Sequence, residues 1–150
     1  MKSISVGSVI ALYISRPHTK GRTPVSAIKV DTKGVYLDKF YDKNIQRSVL
    51  LTSTDSYLLA QKEGIEMDYG LLGENILMDY NPYLLDTGTR FRIGTATLEI
   101  SQPCTLCDHL SAIDPILPQL LCNDRGIFAK VVEAGEIKKG DAIYLITKNT

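Results

Sequence analysis

The chain alternates short apolar stretches, rich in β-branched residues, with glycine and turn residues. The segments "GSVIALYIS" (7–15), "VSAIKVD" (25–31), "SVLLTS" (48–53), "RFRIGTATLEIS" (90–101), "GIFAKVVEAG" (126–135) and "AIYLIT" (142–147) each predict a strand. Several alternate strictly, as in Arg90-Phe91-Arg92-Ile93 and Ala96-Thr97-Leu98-Glu99-Ile100, so that every second side chain faces a core. Short alternating runs of this kind suit an antiparallel barrel or sandwich. In "DTGTRFRIGTATLEI" Gly94 separates two strands, and "EAGEIKKGDAIYLI" repeats the arrangement with Gly135 and Gly140. Both predict hairpin-like ribbons.

Helical signals are fewer. "TSTDSYLLAQKEG" (52–64) offers Thr52 with Asp55 three residues on, then Tyr57, Leu58 and Leu59, and a stop at Gly64, which predicts one short helix. "TLCDHLSAIDPILPQLLCND" (105–124) is apolar at Leu106, Leu110, Ile113 and Leu117, but Pro115 and Pro118 break it into pieces. The reading is a mainly β chain with a few short helices, folded as one domain over residues 1–150. No repeat or low-complexity linker divides it.

Composition narrows the function classes. Lys plus Arg number 17 and Asp plus Glu 17, so no net field draws the chain to nucleic acid or an anionic membrane, and neither is expected as a partner. The apolar run Val9–Ile14 is too short to span a bilayer and lacks a small-residue cleavage site. Three cysteines make a poor disulfide framework in a chain of 150 residues with 44% hydrophobic content. A cytoplasmic protein with free thiols is the expectation.

Two stretches could carry chemistry. In "PCTLCDHL" (103–110), Cys104 and Cys107 have zinc-knuckle spacing, His109 offers a further ligand, and Cys122 could close a tetrahedron. The competing reading makes the cysteines small buried hydrophobes, the better account of Cys122, and makes His109 a hydrogen-bonded structural histidine. A thiol at the start of a helix lies near unpaired backbone N–H groups, which favour thiolate. In "YGLLGENILMDY" (69–80), Gly70 and Gly73 permit a tight backbone ahead of Glu74 and Asn75. A plain turn into a strand is the competing account there.

Taken in order, "VSAIKVDTKGVYLDKF", "QRSVLLTS", "GLLGENIL", "LDTGTRFRIGTATLEIS", "CDHL" and "DRGIFAKVVEAGEIKKGDAIYLI" resemble the MOSC domain, named for the C-terminal domain of molybdenum cofactor sulfurase. The likeness is to its small stand-alone bacterial members. It implies a closed or partly open β-barrel with one functional cysteine, which by position is Cys107, as a sulfur carrier or molybdenum ligand. The implied cofactor is the molybdenum cofactor, a molybdopterin. The implied partners are a desulfurase-type sulfur donor or a molybdoenzyme.

On that resemblance Arg47 and Arg125 would bind the pterin phosphate, Glu74, Asn75 and Asp38 would line or brace the pocket, and Gly126 would allow close approach. His109 would stabilise the thiolate, and Cys104 would resolve a Cys107 persulfide. A non-catalytic cofactor carrier and a molybdenum-dependent reductase of N-hydroxylated compounds are the alternatives, with a structural zinc protein behind them. The family's G-D-x-H pattern is altered here, with Leu37 for the glycine and Phe40 for the histidine around Asp38. The basic residue and proline ahead of the functional cysteine are replaced by Cys104 and Leu106.

Overall fold

The computed structural model describes residues 2–105 and 108–147, apart from the side chains of residues 108 and 109. In chain order the strands are β1 (Lys2–Ile14), β2 (Thr23–Val25), β3 (Ala27–Asp31), β4 (Gly34–Val35), β5 (Val49–Ser53) and β6 (Ile76–Met78). They continue with β7 (Arg90–Ile93), β8 (Ala96–Pro103), β9 (Ile127–Glu133), β10 (Gly135–Lys138) and β11 (Ala142–Thr147). The helices are α1 (Thr54–Lys62), α2 (Asp108–Ile113) and α3 (Leu117–Leu120), and a 3-10 turn covers Ile45–Arg47.

Seven strands close a barrel in the order β11, β7, β8, β9, β5, β6, β1, because β1 pairs with both β6 and β11. The long first strand does this by dividing its length: Lys2–Ser8 lies against β11, and Val9–Leu12 against β6, with bulges between Ser5 and Gly7 and between Val9 and Ala11. Bulges bend and twist a strand, which is what closure demands. β2 pairs with the last residues of β1 outside the ring. A separate sheet, β10-β3-β4, packs beside the barrel.

The barrel interior is filled by alternating inward side chains, among them Phe91, Ile93, Leu98 and Ile100, all essentially without solvent contact. β5 and β6 run parallel, and parallel neighbours need a crossover, which α1 supplies. All three residues of β6 are buried because the barrel lies on one side and a second core of Tyr57, Leu72, Leu110 and Leu117 on the other. Among the described residues no helix is long and apolar enough to cross a membrane.

Three local expectations are corrected. The ribbon at Gly94 is a hairpin, with Ile93 opposite Ala96, but the one at Gly140 is not: β10 pairs with β3, while β11 joins the barrel. Alternation identifies a strand without identifying its neighbour. The N-cap of α1 is Ser53, whose Oγ accepts from Asp55 N at 3.1 Å, rather than Thr52, which lies in β5. Cys122 is exposed, because α3 turns Leu121 inward and leaves the next position facing out.

Candidate functional site

After β4 the chain turns sharply through Leu37, which sits at φ +72°, and delivers Asp38 into the interior. The buried carboxylate collects four donors. Oδ1 accepts from Ser15 N at 2.7 Å, Arg22 Nη1 at 3.2 Å and Asn75 Nδ2 at 3.3 Å; Oδ2 accepts from Phe40 N at 3.0 Å. Asp38 thus fixes Arg22, Phe40 and Asn75 relative to the end of β1. Asn75 ties in further elements, accepting from Leu50 N at 3.0 Å and donating to Tyr13 O at 3.3 Å.

The loops before β2, β5, β6 and β9, with the residue after β8, enclose a chamber of about 370 Å³. Its wall carries Arg22, Lys43, Arg47 and Arg125, and no carboxylate among the described residues lines it. Leu50, Leu72, Phe40 and Phe128 add apolar surface, and Cys104 contributes a buried thiol. The Arg47 guanidinium lies 4.8 Å from the centroid of the Phe128 ring, a cation–π distance. Arg125 is buried and donates from Nη1 to Leu72 O at 2.6 Å. Burial pulls the Arg22 guanidinium below its usual range, Asp38 and Glu74 oppose that pull, and Arg125 adds to it. Desolvated guanidiniums gathered without carboxylates form a site for an anion, and phosphate matches their fork geometry.

A second buried carboxylate stands behind the segment that floors this chamber. Glu74 Oε2 accepts from Thr52 Oγ1 at 2.7 Å and from Tyr57 OH at 2.5 Å. Tyr57 OH in turn accepts from Gly70 N at 3.1 Å and Leu72 N at 3.3 Å. Burial first, then the neighbouring Glu74 carboxylate, push the Tyr57 phenol well above its ordinary range, so it remains a donor. Glu74 Oε1 has no hydrogen-bond partner among the described residues. Gly70 approaches Tyr13 so closely at φ +94° that a Cβ there would come 2.9 Å from Tyr13 Cε1, which leaves room only for glycine.

The residues singled out from sequence therefore fall into separate places. Arg47, Asn75, Arg125 and Cys104 line one chamber. Asp38 and Glu74 lie behind it, bracing its walls instead of facing it. Gly126 packs beneath, where a Cβ would come 3.1 Å from Leu50 Cδ1 and 3.6 Å from Cys104 Cβ, so its close approach is to protein. Cys107 and the His109 side chain lie outside the described residues. Among the described residues no group of three or more His, Cys, Asp and Glu side chains is placed to hold a metal. Arg22 and Lys43 escaped the sequence reading. The signal for them is slight: two cations in each of the turn-rich stretches "HTKGR" and "DKNIQR".

A family model described as the MOSC domain matches residues 38–144. The YuaD protein from Bacillus subtilis superimposes with a TM-score of 0.81 at 16% identity, over 99% of each chain. YiiM from Geobacillus stearothermophilus gives 0.70 at 18% identity over 97% of this chain and 76% of its own. YiiM from Escherichia coli gives 0.71 at 18% identity over 95% and 71%. At such identities the structural likeness shows the fold. A comparison with curated proteins returns no match.

Proposed function

Since this chain belongs to the MOSC family, which is tied to the molybdenum cofactor, we propose that it handles that cofactor's sulfur. The cationic chamber would hold the pterin phosphate, and Cys107 would carry the sulfur. The observation that carries this reading is the gathering of four cations, with no carboxylate among the described residues, around one chamber of small-molecule size. The donor set fits the group: Arg47 and Arg125 carry guanidinium N–H donors suited to phosphate oxygens, and Asn75, its amide engaged by Asp38, Leu50 and Tyr13, braces the wall. Phe40 and Phe128 offer ring surface to a planar system. When bound, the cofactor supplies a metal centre that takes soft sulfur ligands.

Cys107 would receive sulfur from the persulfide of a desulfurase-type donor. Its thiolate attacks the outer sulfur, a new S–S bond forms, and the donor cysteine leaves as thiolate. One sulfur atom changes hosts and no outside oxidant or reductant is consumed. The chamber's cations would lower the cost of bringing a thiolate and an anionic ligand together, with Arg22 held in place by Asp38.

The test is to express the protein in a host that makes the molybdenum cofactor, purify it without reductant, and measure metals and intact mass for wild type and Cys107→Ser. Molybdenum, or the added mass of one sulfur atom, present in wild type and absent from the variant is the expected result. Molybdenum retained equally by both proteins would assign a carrying role in place of sulfur transfer. Stoichiometric zinc lost with Cys104→Ser or Cys107→Ser would overturn the reading.

A further inference from the structure

The cationic chamber does not end at Arg22. A second cavity, of about 620 Å³, shares Arg22, Phe40 and Gly73 with the first as a common wall. The two are compartments of one cleft. The far compartment differs in chemistry: Tyr13 and Tyr69 join Phe40 as ring surface, Lys39 adds a cation, and Asp68 adds the cleft's one lining carboxylate among the described residues.

The rings are presented, not packed away. Phe40 is 46% exposed and Tyr69 is 50% exposed. Phe40 holds two cations near its ring, Arg22 of the shared wall with Cζ at 5.7 Å and Lys39 of the far compartment with Nζ at 5.2 Å from its centroid. Tyr69 stands edge-on to the buried Tyr57, centroids 5.0 Å apart, so its orientation is tied to the interior. The floor between the compartments is equally fixed, because Tyr57 OH holds both Gly70 N and Leu72 N. A pterin monophosphate would engage the first compartment and leave Lys39 and Tyr69 without a use.

We infer that the cleft takes a ligand longer than a pterin monophosphate: a diphosphate that crosses the shared wall at Arg22 and carries a second planar ring into the Tyr69 compartment. This rests on the pterin reading above and extends it to a ligand in which the pterin phosphate is one of a linked pair. Charge and shape both follow from the cleft: cations on each side of the wall receive a linked pair of phosphates, and the exposed rings receive a base by stacking, which is indifferent to which base it is.

The test is calorimetric titration of the full chain at fixed low salt with inorganic phosphate, pyrophosphate, cytidine diphosphate and guanosine diphosphate. Pyrophosphate is expected to bind more tightly than phosphate, and both nucleotides at least about fivefold more tightly than pyrophosphate, the gain that base stacking supplies. Tyr69→Leu, a change at a half-exposed position, should erase most of the nucleotide-over-pyrophosphate ratio. Arg47→Ala should weaken all four ligands. Nucleotides that bind no better than pyrophosphate, a ratio that survives Tyr69→Leu, or no binding by any probe would each overturn the inference. The first two results would leave the pterin reading standing if molybdenum still copurifies with wild type; loss of copurifying molybdenum with nucleotide binding intact would instead remove the pterin reading alone.

Discussion

The two buried carboxylates behind the cleft hold its walls in opposite ways. Asp38 is an ionic hub: a guanidinium, an amide and two backbone N–H groups converge on it. Among the described residues Glu74 is held by hydroxyls, those of Thr52 and Tyr57, and works at second hand, through the phenol that receives Gly70 N and Leu72 N. The difference teaches which wall is placed by charge and which by neutral hydrogen bonds. The Arg22 and Phe40 wall depends on a carboxylate directly, whereas the floor at residues 70–72 depends on a proton staying on a tyrosine.

The largest break in that comparison is expected on the ionic side. Asp38→Ala removes the acceptor of four donors and leaves the Arg22 guanidinium buried without its carboxylate, a loss of about 3–5 kcal/mol in unfolding free energy. Chemical denaturation monitors it. Pyrophosphate affinity should fall as well, because Arg22 and Phe40 lose their common anchor. A variant with unchanged stability would mean that the hub is replaceable by water.

Tyr57→Phe probes the other side. It leaves two backbone N–H groups and one Glu74 oxygen short of a partner while keeping the ring, which costs about 1–3 kcal/mol. Hydrogen exchange should quicken at residues 70 and 72 before it quickens in the barrel, since the lost bonds are local. Uniform quickening would show that the floor and the barrel open as one unit.

The same side should be sensitive to alkali. Burial raises the Tyr57 phenol, with Glu74 adding to it, and burial likewise raises Tyr83, each above the ordinary value of 10.0. For groups raised on folding, the stabilising contribution is whole below the unfolded value and is lost as pH rises towards the folded one. At about pH 11 the loss is about 1 kcal/mol per phenol. Wild type should therefore weaken above pH 10 more than Tyr57→Phe does, measured as the shift in denaturant midpoint between neutral and alkaline pH.

Much of this architecture is legible in the sequence, and what is not has a physical cause. The Phe91 and Ile93 alternation and Gly94 foretell the β7–β8 hairpin, because both signals are local. β10 reads as a strand but pairs with β3, a choice made by tertiary packing. In the site, Arg47, Asn75 and Arg125 sit in motif-bearing stretches. Arg22 and Lys43 come from loops whose only signal is cations among turn residues, and the fold alone brings them to the chamber. Cys122 misleads because an apolar neighbourhood in sequence says nothing of which way a turn faces.

Leu37 offers the smallest and sharpest test of how Asp38 is delivered. Its φ of +72° places a branched side chain in the left-handed region, and the residue is 55% exposed, so little burial offsets the strain. Left-handed backbone costs a residue with a Cβ about 1–2 kcal/mol, whereas glycine adopts it freely. Glycine also adds freedom to the unfolded chain, a penalty of about 0.4–1 kcal/mol. The relief exceeds the penalty, so Leu37→Gly should stabilise the protein by about 0.5–1 kcal/mol, read as a rise in denaturant midpoint. Because Asp38 and Phe40 follow directly, a turn freed of strain should keep their geometry and leave pyrophosphate affinity intact. A loss of stability would mean that the exposed leucine makes contacts worth more than its backbone costs, and that this turn is held by its side chain.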